Sequence, residues 1–221
     1  MNYYLQDVIP HGAEAYWHVL EQVNRAYFPV QILSLALGLA LIGFIRLNPE
    51  IRRWVLVLLA IGWMWLGLVF FLEHYVRLNW LSGYIAPVCA VQATILIIYA
   101  IRIKSLRVQA SKTGIGLLIY TVMIHPFWFL ISGRGLYQIE LIAMSPDATA
   151  LATLGVAALL YPGGIALMVF PLFWLIASGA VLLTLNQPEG WVSIVAVVTV
   201  LVTWITRIPL KFTGSQTGRS K

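Results

Sequence analysis

Residues 52–73 read RRWVLVLLAIGWMWLGLVFFLE: two arginines, nineteen residues without a charge, then a glutamate. An apolar run of about 20 residues is what a helix needs to cross the roughly 30 Å hydrocarbon core of a bilayer. Basic residues collect on cytoplasmic loops, so the arginine end of such a helix is predicted to face the cytoplasm and the glutamate end the outside.

The same arrangement repeats along the chain. Apolar runs fall at Tyr27–Ile45, Trp54–Leu72, Leu81–Ile101, Gly114–Ser132, Ala148–Tyr161, Ile165–Thr184 and Trp191–Thr206. Eleven of the fourteen basic residues lie on one set of connections: Arg46, Arg52, Arg53, Arg102, Lys104, Arg107, Lys112, Arg207, Lys211, Arg219 and Lys221. Arg25, Arg77 and Arg134 fall on the other set. Seven of the eight carboxylates join them there: Asp7, Glu14, Glu21, Glu73, Glu140, Asp147 and Glu189, with Glu50 the exception. The expectation is an all-α, seven-span membrane bundle with its N-terminus outside and its C-terminus cytoplasmic. The fifth run, between Pro146 and Pro162, is short, since 14 to 17 residues at 1.5 Å rise reach about 21–25 Å. Were it re-entrant, spans six and seven would flip and strand the basic tail outside, so a full crossing is favoured.

Composition agrees with this reading. Of 221 residues, 61% are apolar and 10% charged, against about 45–50% and about 25% in soluble domains. The net charge of +6 belongs to loops beside anionic lipid, and the expected partners are the bilayer, other membrane proteins or further copies of this chain, with no nucleic acid. The chain divides into an outer amphipathic segment at 1–26, a transmembrane domain at 27–208 and a disordered basic cytoplasmic tail at 209–221. Met1–Pro10 lacks the basic and apolar segments of a cleaved signal. His11–Arg25 reads as a helix lying along the outer membrane surface, with Tyr16, Leu20, Val23 and Tyr27 on one face and Glu14, His18, Glu21 and Arg25 on the other. The sole cysteine, Cys89, sits inside a span. Trp17, Trp80, Tyr84, Trp191 and, at the inner boundary, Trp54 read as interfacial anchors.

Several pieces carry a family resemblance. They are Trp63, Trp65 and Gly67; Asn79, Trp80 and Tyr84; Gln92 and Ala93; and the segment Gln138–Gly155, QIELIAMSPDATALATLG. Together they resemble an uncharacterised family of bacterial integral membrane proteins, a domain of unknown function whose members are sometimes loosely labelled permeases. The resemblance implies fold and bacterial origin only; with the apolar spans, the expected location is the bacterial cytoplasmic (inner) membrane. It carries over no functional residue.

Charged groups at mid-membrane are costly and mark function, and no Asp, Glu or Lys falls there. That argues against a carrier coupled through a central carboxylate and excludes a retinal Schiff base. His125 is the one imidazole within a span. It precedes Pro126, which cannot bond the Val122 carbonyl and should kink the helix. The imidazole there reads first as a structural group bonded to a neighbouring helix, and second as a ligand or proton-handling group about 10 Å below the outer surface.

The candidate site is an outward-facing polar vestibule of Glu73, His74, His125, Arg134, Tyr137, Gln138 and Glu140, with Glu73-His74 approaching His125 and Glu140. No HExxH or cysteine cluster is present, and one intramembrane histidine does not supply a bis-histidine haem site, so no cofactor or metal is assigned. Ser145-Pro146-Asp147 reads as a helix start, and Gln31 and Gln92 as interhelical hydrogen-bond partners. PFWFLISG at 126–133 and PLFWLIASG at 171–179 suggest a weak internal repeat. A small-solute permease or solute-binding membrane protein comes first among functions. A non-catalytic subunit or assembly factor of a larger complex is second, and a membrane enzyme using outer His and Glu residues third.

Overall fold

The computed structural model describes residues 12–207. The reading of Met1–Pro10, the acidic Asp7, the basic Lys211, Arg219 and Lys221 and the tail at 209–221 lie outside the described residues.

Helices make up the described chain, with no strand. They are α1 Gly12–Ala26, α2 Phe28–Ile42, α3 Pro49–Trp65, α4 Ile85–Arg102, α5 Lys112–Met123, the single turn α6 Trp128–Ile131, α7 Pro146–Leu159, α8 Ile165–Thr184 and α9 Glu189–Arg207. A π-helical segment, Leu66–His74, prolongs α3. Five stretches are long and apolar enough to cross a membrane: Pro49–Arg77, Trp80–Ser105, Lys112–Ile131, Ile165–Thr184 and Glu189–Arg207. A sixth is counted if α1 and α2, bent by 98°, are taken as one span. Leu33, Ile131, Val169, Phe173 and Ile205 are among many large apolar side chains left exposed. Water disfavours so large an apolar surface, and hydrocarbon does not.

The first run is shorter than expected. Helix α2 stops at Ile42 and a tight turn at Phe44–Arg46 follows. The turn ends where Arg52 folds back, its Nε and Nη2 donating to the carbonyls of Phe44 and Ile45 at 2.9 and 2.6 Å. Asn48 then caps α3 through Ile51 N, with Pro49 in its first turn.

The short fifth run becomes the centre of the bundle. All 14 residues of α7 are buried, which is why its sequence is Ala, Thr, Leu and Gly rather than one-faced. Its polar groups are satisfied from within. The Thr153 hydroxyl donates to Thr149 O at 2.7 Å and accepts the Trp63 indole N–H at 3.0 Å. Gly155 packs on α5 so tightly that a Cβ there would lie 2.8 Å from Leu118 Cγ, and one on Gly114 would lie 2.8 Å from the Gly155 carbonyl oxygen.

The bundle has chemically distinct ends. At one, Lys104 pairs with Glu50, Arg207 donates to Ser111 at 3.1 Å, and Gln109 N donates to the Leu159 carbonyl at the end of α7. The start of α7, with α1 and the turns after α3 and α6, makes the other end, where most carboxylates gather. Pro126 breaks the fourth run as expected, ending α5 at Met123 and forcing a tight turn at His125–Phe127. Pro171 lies inside an uninterrupted α8, so the two similar segments are not matched in structure.

Candidate functional site

At the acidic end, helix α1 does not rest its apolar face on a bilayer. Trp17, Val19, Leu20 and Val23 are buried against the bundle. Asn24, fully buried, fastens it: its amide donates to the carbonyls of Tyr137 and Ile139 at 2.8 and 2.9 Å. Gln31 donates to Asn24, at its backbone carbonyl and side-chain oxygen. It thus serves α1 and not a neighbouring span, whereas Gln92 does join two spans, through the Leu167 carbonyl.

The loop that α1 clamps begins where α6 ends. Gly133, at φ +67, takes the left-handed conformation that lets Arg134 N reach back to the Phe129 carbonyl at 2.8 Å, a helix stop that favours glycine. This turn directs the Arg134 side chain inward. Its guanidinium lies 3.6 Å from the centre of the Trp17 ring and its Nη2 is 2.9 Å from Glu189 Oε1. Ser132 donates to the same oxygen. Trp17 is therefore buried beneath a cation instead of anchoring at an interface. Exposed Trp54, Trp80, Tyr84 and Trp191 keep the disposition expected of anchors.

Glu140 lies deeper, 3% exposed. It accepts from the Ser145 hydroxyl at 2.9 Å and from the Tyr16 hydroxyl at 3.2 Å. Arg134 Nη1 and His125 Nε2 stand 3.9 and 3.7 Å from its Oε2. Burial pushes the Glu140 carboxyl above its ordinary range, against the pull of Arg134.

His125 is not the bonded structural group its position suggested. The ring is 4% exposed, yet neither nitrogen has a hydrogen-bond partner. Arg134 Nε and Nη1 and Glu189 Oε2 are also unpartnered. Five such atoms in one cluster are a concentration of unmet polar demand, because buried groups of this kind are normally paired with protein or ordered water.

Asp147 completes the cluster. Ser145 caps α7 through Ala148 N and Pro146 occupies the first turn, as expected. The carboxylate does more than favour a helix start: it accepts the Trp174 indole N–H at 2.6 Å and the Ser178 hydroxyl at 2.7 Å. Trp174 and Ser178 are one turn apart on α8, so one helix face presents both donors. Glu140 and Glu189 thus face the Arg134 guanidinium, and Asp147 is a third buried carboxylate of the cluster.

Above the cluster is an open cleft of about 770 Å³ whose walls include Trp17, His18, Ser132, Arg134, Gln138 and Gln187. Of the seven residues expected to form a vestibule, His125, Arg134 and Glu140 come together in the buried cluster and Gln138 borders the cleft. Gln138 also donates to Glu21 at 3.2 Å, and Arg25 lies 4.0 Å over the Tyr137 ring. Glu73 and His74 do not join His125 and Glu140. The π-helical turn carries them to Tyr27, whose hydroxyl donates to Glu73, and His74 Nδ1 lies 3.0 Å from the Val69 carbonyl. Among the described residues no three His, Cys, Asp or Glu side chains are grouped to hold a metal. Tyr16, Trp17, Asp147, Trp174, Ser178 and Glu189 are the participants sequence reasoning missed. Asp147 alone carried a local signal, since Ser145 already supplied the cap and left the acid unexplained.

Residues 13–212 match a family of unknown function (DUF6064). The chain belongs to that family. Searches of curated proteins and of solved structures each found no significant match. The segment of this family member that resembled a known family most specifically, Gln138–Gly155, holds Glu140, Ser145 and Asp147, three groups of the buried cluster.

Proposed function

We propose that this family member is a multi-pass protein of a bacterial cytoplasmic membrane that binds a small polar solute at its outer end. The site is the cleft beside Trp17 and Arg134 together with the buried cluster of His125, Arg134, Glu140 and Glu189. The observation that carries this reading is the set of five unpartnered buried polar atoms on His125, Arg134 and Glu189 beneath an open cleft. Pre-formed polar groups that converge at the base of a concavity are what a solute or its bound water occupies.

Seven passes with the acidic end outside is the topology we propose. Its support is the segregation of charge between the ends and the run of α7 from Asp147 in the cluster to Leu159 beside Gln109. Binding is favoured over an open pathway. Below the cluster, Leu59, Trp63, Leu118, Leu151 and Leu154 are buried around α7, and the threonines of α7 spend their hydroxyls on neighbouring protein groups. Permeation requires α7 to move relative to α5 and α8.

Native mass spectrometry of protein purified in mild detergent tests the binding. A small molecule should leave the wild type on activation and be missing from Glu140→Gln and Arg134→Met. A wild type that carries nothing, and whose melting is unmoved by a panel of small polar solutes, overturns the reading. Orientation is tested separately with single cysteines at exposed Gly135 and Ser105. An impermeant maleimide should label the first on whole cells and the second only after lysis; the reverse pattern inverts the topology.

A further inference from the structure

A second cavity, of about 200 Å³, shares no lining residue with the cleft. Five aromatic rings line it: Tyr16 from α1, Phe70 and Phe71 from the π-helical segment, Tyr75 just after it, and Trp174 from α8. They brace one another. Phe70 stacks on Tyr75 with centroids 5.8 Å apart, Tyr16 meets Phe70 edge-on at 5.7 Å, and Phe71 meets Trp174 edge-on at 5.3 Å.

Two of these rings are wired to buried carboxylates. The Tyr16 hydroxyl donates to Glu140, and the Trp174 indole N–H donates to Asp147. Ser178, also on the cavity wall, donates to the second oxygen of Asp147. Donation to an anion enriches the electron density of the donor ring, so the faces of Tyr16 and Trp174 are made more attractive to a cation. No Lys, Arg or His lines the cavity. The carboxyl groups that hydrogen bonds connect to its wall are Glu140, behind Tyr16, and Asp147, behind Trp174 and Ser178. The local field favours positive charge.

We propose that this cavity is a second site, separate from the solute site above, and binds a methylated organic ammonium ion of about the size of choline. An inorganic cation needs a shell of oxygen ligands, and the oxygens of Asp147 are already engaged by Trp174 and Ser178. A primary ammonium is best held by three oxygen acceptors, whereas the wall of this cavity is mostly aromatic and aliphatic. A methylated ammonium needs ring faces and a negative field, which are what the cavity offers. Its volume is below the usual range for drug-sized ligands, so the occupant is small.

The test uses full-length protein in detergent, with tryptophan fluorescence and calorimetry as readouts. Choline and tetramethylammonium should bind, and 3,3-dimethylbutan-1-ol, the uncharged carbon analogue of choline, should bind at least about tenfold more weakly. Tyr75→Leu, at a partly exposed position, and Asp147→Asn should each lower choline affinity by about tenfold. Equal affinity for choline and its uncharged analogue, or no response to either, overturns the proposal. If choline fails while the wild type still retains a molecule that Glu140→Gln loses, the ammonium assignment falls and the solute-binding reading stands. If neither is seen, both fall.

Discussion

His125 Nε2 and Glu140 Oε2 face each other across 3.7 Å in a site where both residues are nearly inaccessible. That separation is too long for a hydrogen bond and leaves the imidazole nitrogen available to a water or ligand atom beside the pair. The backbone explains why the gap persists. Pro126 ends α5 and turns His125 inward, while Ser145 and Tyr16 hold Glu140 from other directions. Neither group is free to close on the other.

Replacing His125 by phenylalanine should therefore leave melting in detergent unchanged or raised. The change removes two unpaired buried nitrogens, each costing about 1–3 kcal/mol, and fills the same space with a ring. Solute retention should vanish. A marked loss of stability would identify the imidazole as a structural group instead.

Arg134 and Glu189 should behave as a unit. Arg134→Met leaves the Glu189 carboxylate buried without its partner, which costs about 3–5 kcal/mol. Adding Glu189→Gln should restore much of that stability, because the stranded charge is gone. A double-mutant cycle by thermal or denaturant melting measures the coupling, and strict additivity would show the contact to be incidental.

Glu140 should make stability fall as pH rises. Burial, the largest influence, lifts its carboxyl above the ordinary 4.5, opposed by Arg134 and the Ser145 and Tyr16 hydrogen bonds. The folded protein then keeps a proton that the unfolded chain releases, so stability is lost from near 4.5 upward through the raised folded value. Glu140→Gln has no such proton and should flatten the melting-temperature profile across that window. Identical slopes for wild type and variant contradict the assignment.

The α5–α7 crossing should tolerate no added methyl. Gly155→Ala places a carbon 2.8 Å from Leu118 Cγ, and Gly114→Ala one 2.8 Å from a backbone oxygen. Overpacking of this kind costs about 1–3 kcal/mol. Gly116→Ala is the control, since no neighbouring group comes within 4 Å of where its new methyl would sit; similar melting for all three variants would mean the crossing relaxes freely.

Much of the architecture was legible because it rests on local chemistry. Nineteen uncharged residues between Arg53 and Glu73 specify a long apolar helix wherever they sit, and Pro126 breaks its helix through its own missing N–H. The cap at Ser145 is equally local. The fate of Glu73 and His74 was not, because the change from α-helix to π-helix at Leu66 rotates the following residues around the axis, and no single residue there announces it. The face of α1 was legible as apolar, but amphipathic spacing does not say whether its partner is lipid or protein.

By itself, the sequence determined an all-helical chain with membrane-length apolar segments, charge divided between alternate connections, and a helix start at Ser145-Pro146. Those properties follow from nearest neighbours, helical period and the solvation of single residues. Only the tertiary structure decided that Tyr16 meets Glu140 across 124 positions, that Arg134 meets Glu189 across 55, and that Asp147 is buried against Trp174 and Ser178. Such contacts depend on how helices cross, which is set by the summed packing of many interchangeable apolar side chains and small-residue contacts such as Gly114 on Gly155, and not by any residue read alone.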